Sequence, residues 1–327
     1  MTERFTRVLQ KMTPGTMGGQ SRVATMAGPT SSVKISDPPA PPELCGVTLV
    51  GDFLAVSTAH NAQVIGMALD ADGTEVLLTF DDNTVVRLAY PSLAVLDDPW
   101  ATFTEWIDIF TVAYDGTAIY FCDTSFNYIR RVEQGETSGS FFWESPDNRT
   151  PWSVIYNHAT GTLFVFIKSG SDDHGLWSVT LGGVGTLVAD PLVDPIGYEF
   201  SYEGLIATPD GAVWWHDYDN IYRWHLTDGV TATAWPHGYP YSLMPQADNS
   251  ITLIGGDAMD GWTVSPDGTI TPAPCLTAEV DPTVWGVQSF ASSDSGRSAW
   301  SADGTISIIV GWEDDDWPAN VWRIVGP

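Results

Sequence analysis

From residue 64 onward the chain is a succession of short apolar runs closed by Asp, Asn or Gly, with no long stretch of helical period. The runs come in sets. An apolar strand leads into a tight turn, a second apolar strand, a polar loop and a third strand. The tight turns fall at Asp72-Gly73, Asp115-Gly116, Thr160-Gly161, Asp210-Gly211, Asp248-Asn249 and Asp303-Gly304. Their mean spacing is about 46 residues, the length of one four-stranded propeller blade. Asp-Gly and Asp-Asn suit such turns because these residues tolerate positive φ.

The third run of each set starts on a polar or turn residue and then alternates apolar with polar, as a half-buried strand does. It reads NTVVRLAY from Asn83, NYIRRVEQ from Asn127, HGLWSVTL from His174, NIYRWHLT from Asn220, DGWTVSPD from Asp260 and NVWRIVGP from Asn320. A fourth run follows in most sets, at SLAVLDD from Ser92, GSFFWES from Gly139 and GTLVADP from Gly185. The last set reaches Pro327 without one. The pattern therefore predicts an all-β, six-bladed β-propeller over residues 43–327. Its last blade is closed by a strand from about residues 46–58, within GVTLVGDFLAVST. Such closure removes exposed strand edges. A seventh blade opening near Gly51-Asp52 is the competing count, disfavoured by the short distance from Asp52 to Asp72.

DGTAIYFCDTSFNYIRRV from Asp115 and DGAVWWHDYDNIYRW from Asp210 share Asp-Gly, an aromatic-rich strand, an Asp, then Asn before an apolar strand with Arg. This resembles the blades of NHL-type propellers and the related repeats of SMP-30-like lactonases and streptogramin-lyase-like proteins. The resemblance is one of blade pattern and carries no functional signature. It implies six blades and, by analogy with NHL propellers, RNA or protein partners.

Ahead of the repeats, residues 13–42 are rich in Gly, Pro, Ser and Thr and read as an extended arm. Residues 2–12 read as a short amphipathic helix with Phe5, Val8 and Leu9 on one side, which at this length needs a partner surface. Arg4, Arg7, Lys11, Arg22 and Lys34 make the arm weakly basic, against a chain with 13 Lys+Arg, 41 Asp+Glu and a formal charge of −28. Residues 1–42 are thus expected to be a flexible arm that joins other protein subunits. The acidic body excludes nucleic acid as a partner, because phosphate recognition needs cationic side chains. No run is apolar enough for membrane insertion. The opening residues lack the apolar stretch of a secretory signal, so export by that route is not expected. Cys45, Cys122 and Cys275 form no metal-binding spacing and no disulfide framework.

Candidate chemistry lies in three places. The loops between second and third strands and the links between blades are acidic. The first set holds Asp81, Asp82, Asp123, Asp172, Asp173, Asp217, Asp257 and the run Glu313, Asp314, Asp315, Asp316. The second holds Asp97, Asp98, Asp147, Asp190, Asp194 and Asp281. Hard cations take carboxylate oxygens, so Ca²⁺ at Asp314, Asp315 and Asp316 is the metal candidate, although no complete calcium-loop spacing is present. The second place is Trp215, His216, Asp217, Tyr218 and Trp224, which on an open surface would stack on a sugar and bond its hydroxyls. The third is the set of histidines His158, His174, His216, His225 and His237, none in a catalytic motif. SSDSGRSAW from Ser292 approaches a sialidase Asp-box but occurs once. Arg87, Arg223 and Arg323 recur at one strand position, which points to a structural role.

The favoured reading is a non-enzymatic structural or adhesion propeller held in an assembly through its arm, in a setting such as a tailed-virus particle. The alternatives are a metal-dependent propeller hydrolase or lyase working at the channel mouth, and a carbohydrate-binding propeller that takes a cell-surface glycan.

Overall fold

The computed structural model describes residues 46–52, 56, 59–60, 62, 64–104, 112–123, 125–146, 149–168, 175–190, 205–217, 219–237, 240–255, 260–273, 297–311 and 320–325. The chain divides into Met1–Pro42 and Glu43–Pro327. The arm residues Arg4, Phe5, Arg7, Val8, Leu9, Lys11 and Arg22 lie outside the described residues.

Twenty-four strands are described. β1 is Gly46–Asp52. The first blade holds β2 (Val64–Leu69), β3 (Glu75–Phe80), β4 (Thr84–Ala89) and β5 (Val95–Thr102). The next holds β6 (Val112–Tyr114), β7 (Ala118–Asp123), β8 (Tyr128–Glu133) and β9 (Ser140–Glu144). It is followed by β10 (Thr150–Asn157), β11 (Thr162–Lys168), β12 (Gly175–Thr180) and β13 (Gly185–Ala189). Then come β14 (Ile206–Ala207), β15 (Val213–His216), β16 (Asn220–His225) and β17 (Gly229–Ala234), and after them β18 (Pro240–Pro245), β19 (Ile251–Gly255), β20 (Asp260–Val264) and β21 (Ile270–Pro272). The last three are β22 (Arg297–Trp300), β23 (Ser307–Gly311) and β24 (Asn320–Val325).

These strands form six four-stranded antiparallel sheets among the described residues. The first strands, β2, β6, β10, β14, β18 and β22, each meet the first strands of the two neighbouring sheets, so the ring is closed. The protein is an all-β propeller. β1 does not open a further sheet. It pairs antiparallel with β24, Gly46 opposite Val325 and Asp52 opposite Asn320, and completes the last sheet in the order β1-β24-β23-β22.

No sheet has a core of its own. Each apolar layer lies between two sheets. Leu77 and Val85 of one blade pack with Ile119, Phe121 and Val132 of the next. Ile129 and Tyr120 pack with Val154, Leu163 and Val179. Phe164 and Phe166 pack with Trp215, Tyr222 and Trp224. Trp214 and Ile221 pack with Leu243, Ile251 and Leu253. Ala299 and Ile308 pack with Val64, Met67 and Phe80. Because successive strand residues point to opposite faces, a sheet covered on both faces needs near-continuous apolar strands. This is why β7 and β15 are buried along their whole length.

The predicted turns all occur. Gly73, Gly116, Gly161, Gly211, Asn249 and Gly304 have φ between +66° and +95°. A carboxylate folds several of these turns: Asp115 accepts from the amides of Thr117 and Ala118, and Asp210 from that of Ala212. The turns also touch their neighbours around the ring. Asn157 donates to the carbonyl of Gly211, the amide of Asp210 to Asn249, and the amide of Ala302 to the carbonyl of Ala71.

A second interlock runs along the outer strands, where the turn between third and fourth strands of one blade meets the fourth strand of the blade before it. Gly135 donates to the Trp100 carbonyl, and the Thr102 amide to that of Glu136. Gly185 lies so close to Trp143 that an added Cβ would sit 2.6 Å from its Nε1.

Glycines 116 and 304 separate backbone conformation from packing. Both have positive φ, but a Cβ on Gly116 meets nothing within 4 Å, whereas on Gly304 it falls 2.7 Å from the Gln246 backbone. Gly116→Ala is expected to cost about 1–2 kcal/mol from φ alone. Gly304→Ala should exceed it by about 1–3 kcal/mol, because the turn of one blade is driven into the next. Denaturant unfolding of the two variants checks this; equal losses would mean the turns are not in register across the ring.

Candidate functional site

The aromatic group of the fourth blade is placed by β15 and β16. Trp214 and Trp215 are adjacent on β15, so one enters the layer toward the following blade and the other the layer toward the preceding one. Trp215 is 0% exposed and stacks on Tyr222, with ring centroids 5.5 Å apart. Trp224 is also buried, 5.2 Å from Phe164. The expectation that Trp215 and Trp224 stand open to a sugar is corrected. Alternation sends one residue of each pair outward only when a sheet has a solvent face, and here both faces of the inner strands are covered. Tyr218 lies outside the described residues.

His216 is fully buried, with Nδ1 3.3 Å from the Asp217 carbonyl oxygen. Burial pushes its pKa down to about 4, against the opposing pull of the Asp217 carbonyl and carboxylate. Asp217 is itself buried and shapes the loop after β15. Its Oδ1 accepts from the amides of Asp219 and Asn220, and its Oδ2 from the Tyr222 hydroxyl at 2.5 Å. Burial and this carboxylate raise the Tyr222 pKa well above the usual phenol range. The cluster is a structural lock between a loop and its strand.

Several of the described acidic residues are paired within the fold. Asp97 and Asp98 lie inside β5, not in a link between blades, because that strand continues through the buried Trp100 and Ala101 to Thr102. Asp97 pairs with Arg87, which also reaches Glu75 at 3.2 Å. Asp123 pairs with Arg130 at 2.6 Å. Arg223 lies between Asp210 at 2.9 Å and Asp228 at 3.2 Å. Arg87 and Arg223 thus tie strand to strand and strand to turn, the structural role read from their recurrence. Asp147, Asp172, Asp173, Asp194, Asp257, Asp281, Glu313, Asp314, Asp315 and Asp316 lie outside the described residues. Among the described residues no group of three or more His, Cys, Asp or Glu side chains is placed to hold a metal ion.

Among the described histidines, one that the sequence did not single out, His60, has the most connected polar surroundings. His60 places Nδ1 3.1 Å from Asp82 Oδ2 and Nε2 2.9 Å from Asp98 Oδ1, and its ring stacks on Phe80. Asp82 and Asp98 are 22 and 38 residues away in sequence, so no local motif signals the group. Both ring nitrogens already face carboxylates. The group fastens the segment after β1 to the first blade. Of the other histidines, His225 is bonded to Thr227 at 2.8 Å, His237 stacks on Trp262 at 3.6 Å, and His158 meets the edge of Tyr156. His174 lies outside the described residues. Cys122 is buried, its thiol pKa raised by that burial.

No family model matches the chain, and no curated protein matches it. Solved structures do. Virginiamycin B lyase from Staphylococcus aureus superposes with a TM-score of 0.51 at 15% identity, covering 80% of each chain. An oligogalacturonate lyase in complex with manganese gives 0.54 at 14%, covering 81% of this chain and 77% of that one. A chain of the mitotic checkpoint complex gives 0.51 at 12%, covering 81% and 76%. At these identities the likeness is one of fold, that of a β-propeller. No helix among the described residues is long and apolar enough to cross a membrane.

Two outcomes follow. Trp215→Ala is expected to lower stability by about 3–5 kcal/mol, the cost of emptying a buried aromatic site. Urea unfolding measures it; unchanged stability would return Trp215 to the surface. The second concerns acid. The unfolded chain protonates His216 near pH 6.5 and the folded chain only near 4. Stability present above pH 6.5 is therefore lost as pH falls to 4, by at most about 3 kcal/mol. His158, lowered by burial, adds to it with the same sign. Thermal melts between pH 7 and 4 should show this loss, and His216→Gln should flatten it; an identical slope in the variant would contradict the assignment.

Proposed function

We propose that this chain is a six-bladed propeller that serves as a protein-binding module of a larger assembly, carried on the arm of residues 1–42. The observation behind the reading is that several of the described side chains the sequence put forward for chemistry are engaged within the fold. His216 and Asp217 lock a loop, Trp215 and Trp224 fill an inter-blade layer, and Asp97, Asp98 and Asp123 are paired internally. A rigid acidic ring behind a weakly basic arm suits a module that docks onto a neighbour, because an arm can order when it binds. Electrostatic contrast between arm and body speeds such encounters. The tailed-virus particle is the setting to which this reading extends.

The propeller fold by itself does not choose between binding and catalysis. Two of the similar structures are named as lyases and one belongs to a checkpoint complex. A metal-dependent hydrolase or lyase is the second reading, favoured only by that shared fold.

The test compares the solution mass of the full chain with that of a chain lacking residues 1–42, with bound metal assayed on both. The expected result is a defined oligomer or particle-docked form for the full chain and a metal-free monomer for the shortened one. Two monomers that each retain one equivalent of metal would overturn the assembly reading in favour of the enzyme.

A further inference from the structure

The outer surface of the second blade carries an aromatic feature that the ring does not use. Phe126, in the loop after β7, is 59% exposed, and Phe141, on β9, is 58% exposed. Tyr128, at the start of β8, joins them. Its ring lies within 14° of parallel to Phe126 at a centroid distance of 6.4 Å, and Phe141 stands edge-on to it at 5.0 Å. Contiguous exposed apolar surface is where interaction sites are found.

The polar side of this ledge is also built. Arg130 lies with Cζ 5.9 Å from the centroid of the Phe126 ring. Its Nε donates to Asp123 Oδ2 at 2.6 Å and its Nη1 to the Gly139 carbonyl at 3.1 Å. Asp123 is 1% exposed, and its other oxygen, Oδ1, is buried with no hydrogen-bond partner among the described residues. The pairing of Asp123 with Arg130 holds the guanidinium beside the Phe126 ring. Glu144, exposed and opposite Tyr128 in the β8–β9 pairing, adds a second carboxylate at the edge.

We propose that Phe126, Tyr128 and Phe141 form a docking ledge for an arginine-bearing segment of a protein partner. A guanidinium already lies over one of these rings within the chain, so the aromatic faces accept that cation. Tyrosine and arginine dominate the energetics of protein interfaces. The chain's charge of −28 attracts a basic segment and disfavours an acidic one. The ledge residues belong to the body, so this proposal is tested separately from the arm's role in assembly.

The experiment uses the full chain and a fluorescein-labelled peptide of alternating Arg and Leu, followed by anisotropy. Parallel titrations use a peptide with Gln in place of Arg and a neutral oligosaccharide, cellohexaose. The double variant Phe126→Ala/Phe141→Ala is compared with Leu226→Ala, which alters an apolar residue 81% exposed on the fourth blade. All three substituted side chains are mostly exposed, so the variants keep their fold, which circular dichroism checks. The expected result is binding of the Arg peptide that weakens at least tenfold in the double variant, stays unchanged in Leu226→Ala, and is absent for the Gln peptide. Absence of Arg-peptide binding to the unaltered protein overturns the proposal. So does equal binding by the double variant, which would reflect diffuse attraction to an acidic body. Ledge-dependent binding of the oligosaccharide without the Arg peptide overturns it in favour of a sugar site.

Discussion

The structure depends on one constraint: a blade of this chain cannot bury its own apolar surface. Among the described residues the inner strands are apolar on both faces, and the apolar layers lie between one sheet and the next. Single sheets would expose Phe121 or Trp215 to water, and so would an open arc at its two ends. Closure is therefore a condition of stability, and β1 supplies it. By pairing with β24 it joins the two ends of the repeat region within one sheet. The two interlocks, turn to turn near the channel and turn to outer strand at the rim, then fix how each blade sits on the next.

This arrangement also decides where function is found. Described side chains on inner strands are largely consumed by packing, and several polar groups among them are bonded to one another. Asp217 holds a loop amide pair and a tyrosine hydroxyl, His60 is clasped between two carboxylates, and Arg223 spans two aspartates. A buried polar group must be bonded or it costs stability, so these contacts follow from the ring as much as from any activity. On the outer surface Phe126 and Phe141 are exposed without a packing role of that kind among the described residues.

Much of the fold was legible in the sequence because turns have strict backbone needs. Six turn positions were readable from Asp-Gly and its variants, and all six take positive φ. The third strands follow from the same register, and the closing strand expected at about residues 46–58 is β1, Gly46–Asp52. The functional side was less legible, for a physical reason. Alternation identifies which face a residue points to but not whether that face is covered, so Trp215 and Trp224 read as candidates for the surface when both lie in a layer. The same limit hid the opposite case. Phe141 follows a strand pattern indistinguishable from that of a core aromatic, and only its radial position leaves it open. Asp98 and His60 meet through the fold alone, with nothing in the local sequence to announce it.

The central claim is that the ring is one cooperative unit clasped at the β1–β24 pairing. Native-state hydrogen exchange of the β24 amides, set beside those of β7 and β15, tests it most directly, because amides that open only with the whole structure report the global free energy. The account predicts that β24 exchanges with the same free energy and denaturant dependence as the inner strands. Exchange of β24 through a low-energy local opening, while β7 and β15 stay protected, would show that the ring stands without its clasp and would contradict the account.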